Sequence, residues 1–340
     1  MVIDEPQPAA GPVARTPQQS PPPTAKTKTK TIEGYAEWIR DGYLIADGQR
    51  VGWDEHTRFK LGRIRSVSEV PLGYEIEAKG HRTIDGTLLA QQLEAKPNGI
   101  ALYENEVVRQ HGSLEEMWLQ DGTMSLGEGR GTRKQLGRVL ESGPEVDRVK
   151  SVMHRLLPPY VPASRLRLRV VDSGIWNAAA MANGAIWVHR GLLDDVSDDE
   201  LAIVLGHELA HYTHEHTRRD AKNNMWRQLA AVGAGAALDQ MDDGAARDAL
   251  IMAAELSLMA WTNGYSRNLE DQADRAGLRY AFEGGFDVTQ GPEMWARVRG
   301  RFGELDSVSN FFQGRHSRPS DRIRNIQREL VLNYQKCSSR

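Results

Sequence analysis

His207, Glu208 and His211 stand at the spacing H-E-x-x-H and are the residues of this chain best suited to chemistry. Positions four apart share one helix face, so both imidazoles can bind a single zinc ion, while Glu208, one residue round, leans toward the metal's open position. Such a site activates water. A catalytic zinc ion takes three protein ligands besides that water, so one more ligand must come from elsewhere in the chain. The strongest candidate is Glu270, in Ser266-Arg-Asn-Leu-Glu-Asp-Gln-Ala-Asp-Arg-Ala-Gly277. On a helix Glu270, Ala273, Asp274 and Gly277 share a face. The small residues would allow close approach to the zinc helix, and Asp274 could accept a hydrogen bond from the outer nitrogen of a ligating histidine. A solvated, charged helix face is the competing reading of the same stretch.

The element that must carry the two histidines is well signalled. Ser197 followed by Glu200 forms a capping box, Asp198 and Asp199 add negative charge at the helix start, and Leu201, Val204 and Leu205 recur at spacings of three and four. His214, Glu215 and His216, followed by Thr217, Arg218, Arg219 and Asp220, read as its solvated polar end. Upstream, the pattern predicts a helix from Pro144 to Leu157, then a half-exposed strand in which Leu166, Leu168 and Val170 alternate with arginines. A strand over Ala185 to His189 follows and directly precedes the zinc helix. If it is an edge strand beside the metal cleft, Ala185, Ile186, Trp187 and Val188 could hold a substrate peptide by main-chain pairing; an internal strand without a substrate role fits the same residues. Met225 to Ala260, rich in Ala and Met, reads as a helical hairpin.

Ahead of these elements lie two different compositions. Residues 1–30 hold Pro6, Pro8, Pro12, Pro17 and Pro21 to Pro23 and too few large apolar groups for a core, so they read as a disordered tail. Residues 31–100 read as a small β-domain, because Asp47-Gly48 and Asp85-Gly86 each separate strand-like runs in the manner of hairpin turns. Its aromatics Trp38, Tyr43, Trp53, Phe59 and Tyr74 could form a stacking platform for single strands. Against nucleic acid as a partner, residues 33–99 carry eleven acidic and nine basic side chains. Residues 104–145 are polar and helix-prone with several glycines, and 101–124 read as a helical linker. The whole chain has 340 residues, 40% hydrophobic and 26% charged, with a formal net charge of -3, which fits an ordinary globular protein. A lone Cys337 rules out an intramolecular disulfide, and no apolar run reaches the ~18 residues of a membrane span.

Three segments in this order resemble a known family: Asn177-Ala-x-Ala-x-x-x-Gly184-x-Ile186-x-Val188, His207-Glu208-x-x-His211 and Glu270-x-x-Ala273-Asp274. They are similar to the zinc metallopeptidases that include the HtpX heat-shock protease, the type 1 CAAX prenyl protease and the periplasmic BepA-like proteases, over about residues 125–335. The resemblance implies a gluzincin endopeptidase with one catalytic zinc ion held by His207, His211 and Glu270. Glu208 would be the general base and Asp274 the support of a ligand. The family's C-terminal element usually reads His-Pro before a Ser and a later Arg-Ile, where this chain has His316-Ser-Arg318-Pro319-Ser320-Asp321-Arg322-Ile323. By resemblance, either Arg318 or His316 supplies the cation at the substrate or the oxyanion. The expected fold class is α+β, a mainly helical zincin-type metallopeptidase domain with a small sheet over 125–335, preceded by the small β-barrel or sandwich and followed by a tail over 336–340. The expected substrates are unfolded or misassembled polypeptides in the bacterial periplasm or cell envelope, with the cytoplasm as the alternative. A chaperone-like polypeptide-binding protein with a weak or closed zinc site is the alternative function.

Overall fold

The computed structural model describes residues 29–40, 42–97, 102–127, 133–158, 161–220, 265–304 and 318–334. The proline-rich tail up to residue 28, the helical hairpin expected over 225–260, and His316 lie outside them.

The N-terminal strands close on themselves. They are β1 (Lys30–Arg40), β2 (Tyr43–Ala46), β3 (Gln49–Gly52), β4 (Arg58–Lys60), β5 (Glu75–Arg82) and β6 (Leu88–Lys96). The order β3-β2-β1-β5-β6 is joined at its ends by a parallel pairing of β3 with β6, Val51 opposite Leu88 and Gly52 opposite Leu89, and β4 extends β6. The result is a five-stranded barrel rather than a sandwich. At the β2–β3 turn Asp47 has φ 44 and Gly48 φ 73, the left-handed pair that a two-residue hairpin turn requires. Alternating residues such as Leu44, Ala46, Val51, Ile76, Ala78, Leu88 and Leu93 fill the barrel. Trp53 and Tyr74 pack partly against that core, whereas Phe59 is 42% exposed.

The rest of the described chain builds a second sheet with helices on it. Helix α1 (Leu102–Trp118) leads into β7 (Leu119–Gln120), β8 (Thr123–Gly127) and β9 (Arg133–Leu140); then come α2 (Pro144–Leu156), β10 (Arg167–Asp172), β11 (Ala178–Ala180), β12 (Ala185–His189) and the short α3 (Arg190–Leu193). Helices α4 (Asp198–Thr213), α5 (Arg267–Glu283), α6 (Gly291–Phe302) and α7 (Pro319–Glu329) complete it. The polar, helix-prone reading of 104–145 holds only to Trp118. Beyond it the chain turns at Asp121 and Gly122, both at positive φ, and continues as strands.

Strand order in the second sheet is β11-β12-β10-β9-β8-β7, which settles the position of the strand before the zinc helix. β12 is internal, antiparallel to β11 and parallel to β10, with all five residues buried. Its alternation explains this. Ile186 and Val188 enter the main core with α2, α4, α5 and α6, while Ala185 and Trp187 enter a second core on the opposite face with Trp118 and Met124. The expectation that Ala185 to Val188 form a substrate-pairing edge is therefore corrected, because both edges of β12 are already used. Among the described residues the outer strand at this end of the sheet is β11.

Candidate metal centre

Helix α4 begins as its residues dictate. Ser197 Oγ accepts from the Glu200 amide at 3.2 Å while the Ser197 amide donates to Glu200 Oε2 at 2.9 Å, a reciprocal cap of about 1 kcal/mol. Arg148 from α2 anchors the preceding turn, donating to the carbonyls of Leu193 and Val196, each at 2.6 Å. Helix α5 then crosses α4 at nearly backbone contact. A Cβ built on Gly206 would lie 2.5 Å from the Gly277 carbonyl oxygen, and one on Gly277 would lie 2.6 Å from the His207 nitrogen. Only glycine at both positions permits this approach, and it sets the carboxylates of α5 against the histidines of α4.

His207, His211 and Glu270 consequently come together, with one ligand atom from each lying within 4.8 Å of the others. His207 Nε2 is 3.5 Å from Glu270 Oε2, His211 Nε2 is 3.4 Å from Glu270 Oε1, and the two Nε2 atoms are 3.0 Å apart. All three side chains are buried. Two imidazole nitrogens and a carboxylate facing one point, with the outer nitrogen of each imidazole held by another group, form a donor set that fits a catalytic zinc ion.

Each histidine has a partner on its outer nitrogen. His207 Nδ1 is 2.9 Å from Asp274 Oδ1, and Arg322 of α7 donates to the same oxygen from Nε at 3.0 Å and Nη2 at 2.5 Å. Burial and Arg322 both disfavour the charged imidazole, yet hydrogen bonds to Asp274 and Glu270 outweigh them and carry His207 up to about 9. Burial alone would push the Asp274 carboxyl up, but Arg322 and His207 hold it below the usual carboxylate range. His211 is ordered differently. Its Nδ1 is 2.9 Å from His216 Nδ1, and Tyr265 stacks on its ring with centroids 4.3 Å apart.

His214 and His216 are fully buried, which corrects their reading as a solvated helix end. The cause lies in the barrel, which covers this end of α4: His214 Nε2 meets the Ala36 carbonyl at 3.2 Å, and Arg218 reaches the Tyr35 hydroxyl and Glu75. Burial lowers His214 to about 4. Glu208 is also buried, and its Oε2 accepts the amide of Ala180 in β11 at 2.8 Å. A cleft of about 820 Å³ runs past this point, lined by Ala180 and Met181, by His211, Tyr212 and Tyr265, and by Tyr74 of the barrel.

Arg318 is exposed at the N-terminus of α7, one turn before Arg322. Arg318 or His316 is the cation that the sequence offers for the substrate or oxyanion; the arginine of this segment that touches Asp274 and His207 is Arg322. The signal was present in the Arg-Ile pair four residues further on.

A model of peptidase family M48 matches residues 145–330, more than half of the chain. The chain belongs to peptidase family M48. Among curated members it is 32% identical over 161 residues to the mitochondrial metalloendopeptidase OMA1 of Bos taurus, covering 44% of this chain and 30% of that one. It is 31% identical over 153 residues to a provisionally named beta-barrel assembly-enhancing protease of Vibrio cholerae, covering 43% and 31%. With the metalloprotease YcaL of Escherichia coli it shares 35% identity over 98 residues, 29% of this chain and 37% of the relative. The matched part thus spans about a third of these relatives' own length. The M48 match begins after the barrel, which is an addition to the matched region. No helix among the described residues is long and apolar enough to cross a membrane.

Proposed function

We propose that the chain is a zinc-dependent endopeptidase that hydrolyses peptide bonds in unfolded or misassembled proteins. The observation that carries this reading is the convergence of His207, His211 and Glu270 beside Glu208, with Glu208 tied to the outer strand β11. A zinc ion held there would supply Lewis acidity, polarising a carbonyl and bringing the pKa of water to about 7. Asp274 accepts a hydrogen bond from the Nδ1–H of His207, which leaves the Nε2 lone pair facing the metal position; Arg322 neutralises the Asp274 charge that would otherwise be stranded in the interior. Glu208 takes the proton of the attacking water and delivers it to the departing amine.

An extended peptide beside β11 would pair with main-chain groups and bring its carbonyl next to Glu208, which favours substrates without folded structure. Either Arg318 or His316 is the proposed cation for the developing oxyanion; the support for Arg318 is its position one turn before Arg322 at the N-terminus of α7. Similarity to a beta-barrel assembly-enhancing protease supports an envelope substrate and a periplasmic setting, while the similarity to mitochondrial OMA1 is the competing comparison.

The deciding experiment incubates unfolded casein with wild type and with Glu208→Gln, both shown by elemental analysis to carry zinc. Fragments from wild type alone are expected. Zinc in both proteins with equal protection of casein and no cleavage by either would replace this reading with polypeptide binding.

A further inference from the structure

The outer nitrogen of His211 opens a chain of hydrogen bonds that leaves the M48 region altogether. His216 Nδ1 is 2.9 Å from His211 Nδ1, and His216 Nε2 is 3.1 Å from Gln272 Oε1. Gln272 Nε2 donates to Glu37 Oε1 at 2.8 Å and to Asp47 Oδ1 at 2.6 Å. Glu37 sits in β1 and Asp47 in the β2–β3 turn, so both carboxylates belong to the barrel. Except for Asp47, every member is buried.

The donors and acceptors in this chain permit one direction. Carboxylates only accept, so Glu37 and Asp47 fix the Gln272 amide with its NH2 toward the barrel and its oxygen toward His216. That oxygen accepts, so His216 carries its proton on Nε2 and presents a bare Nδ1 to His211. His211 must then carry its proton on Nδ1, leaving Nε2 as the lone pair that faces His207 and Glu270. Arg219 reinforces the arrangement by donating to both Gln272 Oε1 and Asp47 Oδ2. Arg275 of α5 holds Glu37 with two bonds of 2.8 and 2.9 Å. Were the amide reversed, its NH2 would face His216 Nε2, and His216 would point a proton at His211 in competition with the required one.

We propose that His216 is a positioning residue for His211, and that the barrel sets it through Gln272, which makes the barrel a structural part of the metal centre. This rests on the zinc reading above. It predicts that barrel substitutions far from the cleft change the metal affinity of the M48 region.

The test uses the full chain and the zinc ion alone, with affinity read by competition against a chelator of known strength and fold by thermal melting. His216→Ala and Gln272→Met are expected to weaken zinc binding about 10- to 100-fold, the range for loss of a group that orients a ligand. His216→Gln, whose amide can accept from His211 and donate to Gln272, is expected to restore most of it. Asp47→Gly keeps the left-handed turn and is expected to weaken binding about 5-fold. On casein, kcat should fall with KM unchanged. Wild-type zinc affinity in folded His216→Ala and Gln272→Met would overturn the proposal while leaving the peptidase reading intact. A wild type that binds no zinc would overturn both. Should His216→Ala fail to fold, Gln272→Met and Asp47→Gly, which leave the segment directly after α4 unaltered, decide by the same measurement.

Discussion

Replacing Gly277 by alanine separates two effects of opposite sign. In an ordinary helix interior the change is favourable by up to about 1 kcal/mol, because alanine is the better helix former. Here the new Cβ would lie 2.6 Å from the His207 nitrogen and 2.8 Å from the Gly206 carbonyl carbon, and both neighbours are backbone. Reaching an ordinary contact of 3.4 Å requires α4 and α5 to part locally by about 0.8 Å. Overpacking of this kind costs about 1–3 kcal/mol, which exceeds the propensity gain through most of its range. The separation also carries Glu270 and Asp274 away from His207, by more than the roughly 0.2 Å that metal–ligand distances tolerate. The expected result is a net loss of about 1–2 kcal/mol in urea denaturation, with zinc affinity lowered at least 10-fold by chelator competition. Gly300→Ala is the control: Gly300 is exposed in α6 with no atom within 4 Å of its added Cβ, so it should gain stability and leave zinc binding alone. If Gly277→Ala behaves like Gly300→Ala, close helix approach is not what assembles this centre.

Removing the guanidinium in Arg322→Met would leave the buried Asp274 carboxylate with His207 but without its cationic arginine, at a cost of up to about 3–5 kcal/mol; a melting temperature within a degree or two of wild type would contradict that. Acid should destabilise the zinc-free chain through histidines that fold in neutral form. Burial holds His189 and His214 at about 4, below their unfolded value of 6.5, so between pH 6.5 and 4 the unfolded state binds protons that the native state refuses. The contribution of these two is then full above pH 6.5 and falls with decreasing pH, by up to about 3 kcal/mol per histidine. His207, raised to about 9, acts with the opposite sign, its stabilisation full below pH 6.5 and lost as pH rises toward 9, so it offsets part of the decline near pH 7 and adds little slope below about pH 6. Urea midpoints measured from pH 7 to 5 should decline, and His214→Gln should flatten the decline.

What could be read from the sequence was what is decided locally. The cap at Ser197 and Glu200, the Asp-Gly turn at residues 47 and 48, and two imidazoles four apart each depend on neighbours within a turn or a hairpin, and the structure contains all three arrangements. The face shared by Glu270, Ala273, Asp274 and Gly277 belongs to the same class, since helical geometry alone puts two carboxylates and two small residues together. The misreadings have a common physical origin. His214 and His216 follow the motif among threonine, glutamate and arginines, and nothing within ten residues says that a barrel formed almost two hundred residues earlier will cover them. The strand is apolar from Ala185 to Val188 because two cores claim its alternate residues, a pattern that periodicity cannot tell from other buried strands. Arg322 entered only as part of the Arg-Ile pair, because its partner Asp274 lies 48 positions away.

The local and distant contributions also divide the two ligands. His207 is oriented by Asp274, four residues after Glu270 on the same helix, so its support comes with the motif. His211 is oriented by a neutral imidazole whose own proton is placed by an amide, and that amide is placed by carboxylates from outside the M48 match. A carboxylate needs no further instruction to accept a proton, whereas an imidazole and an amide each have a wrong orientation available at little cost. The second ligand therefore needs a rigid external reference, and the closed barrel provides one: Asp47 is fixed at a left-handed turn with its Oδ1 bonded to the Tyr35 amide at 3.0 Å. Loosening the barrel should consequently disturb His211 while leaving His207 in place. Histidine NMR would see this in Asp47→Gly as a second tautomer of the His216 and His211 rings with His207 unchanged, and an equal change at His207 would show that the whole centre had relaxed instead.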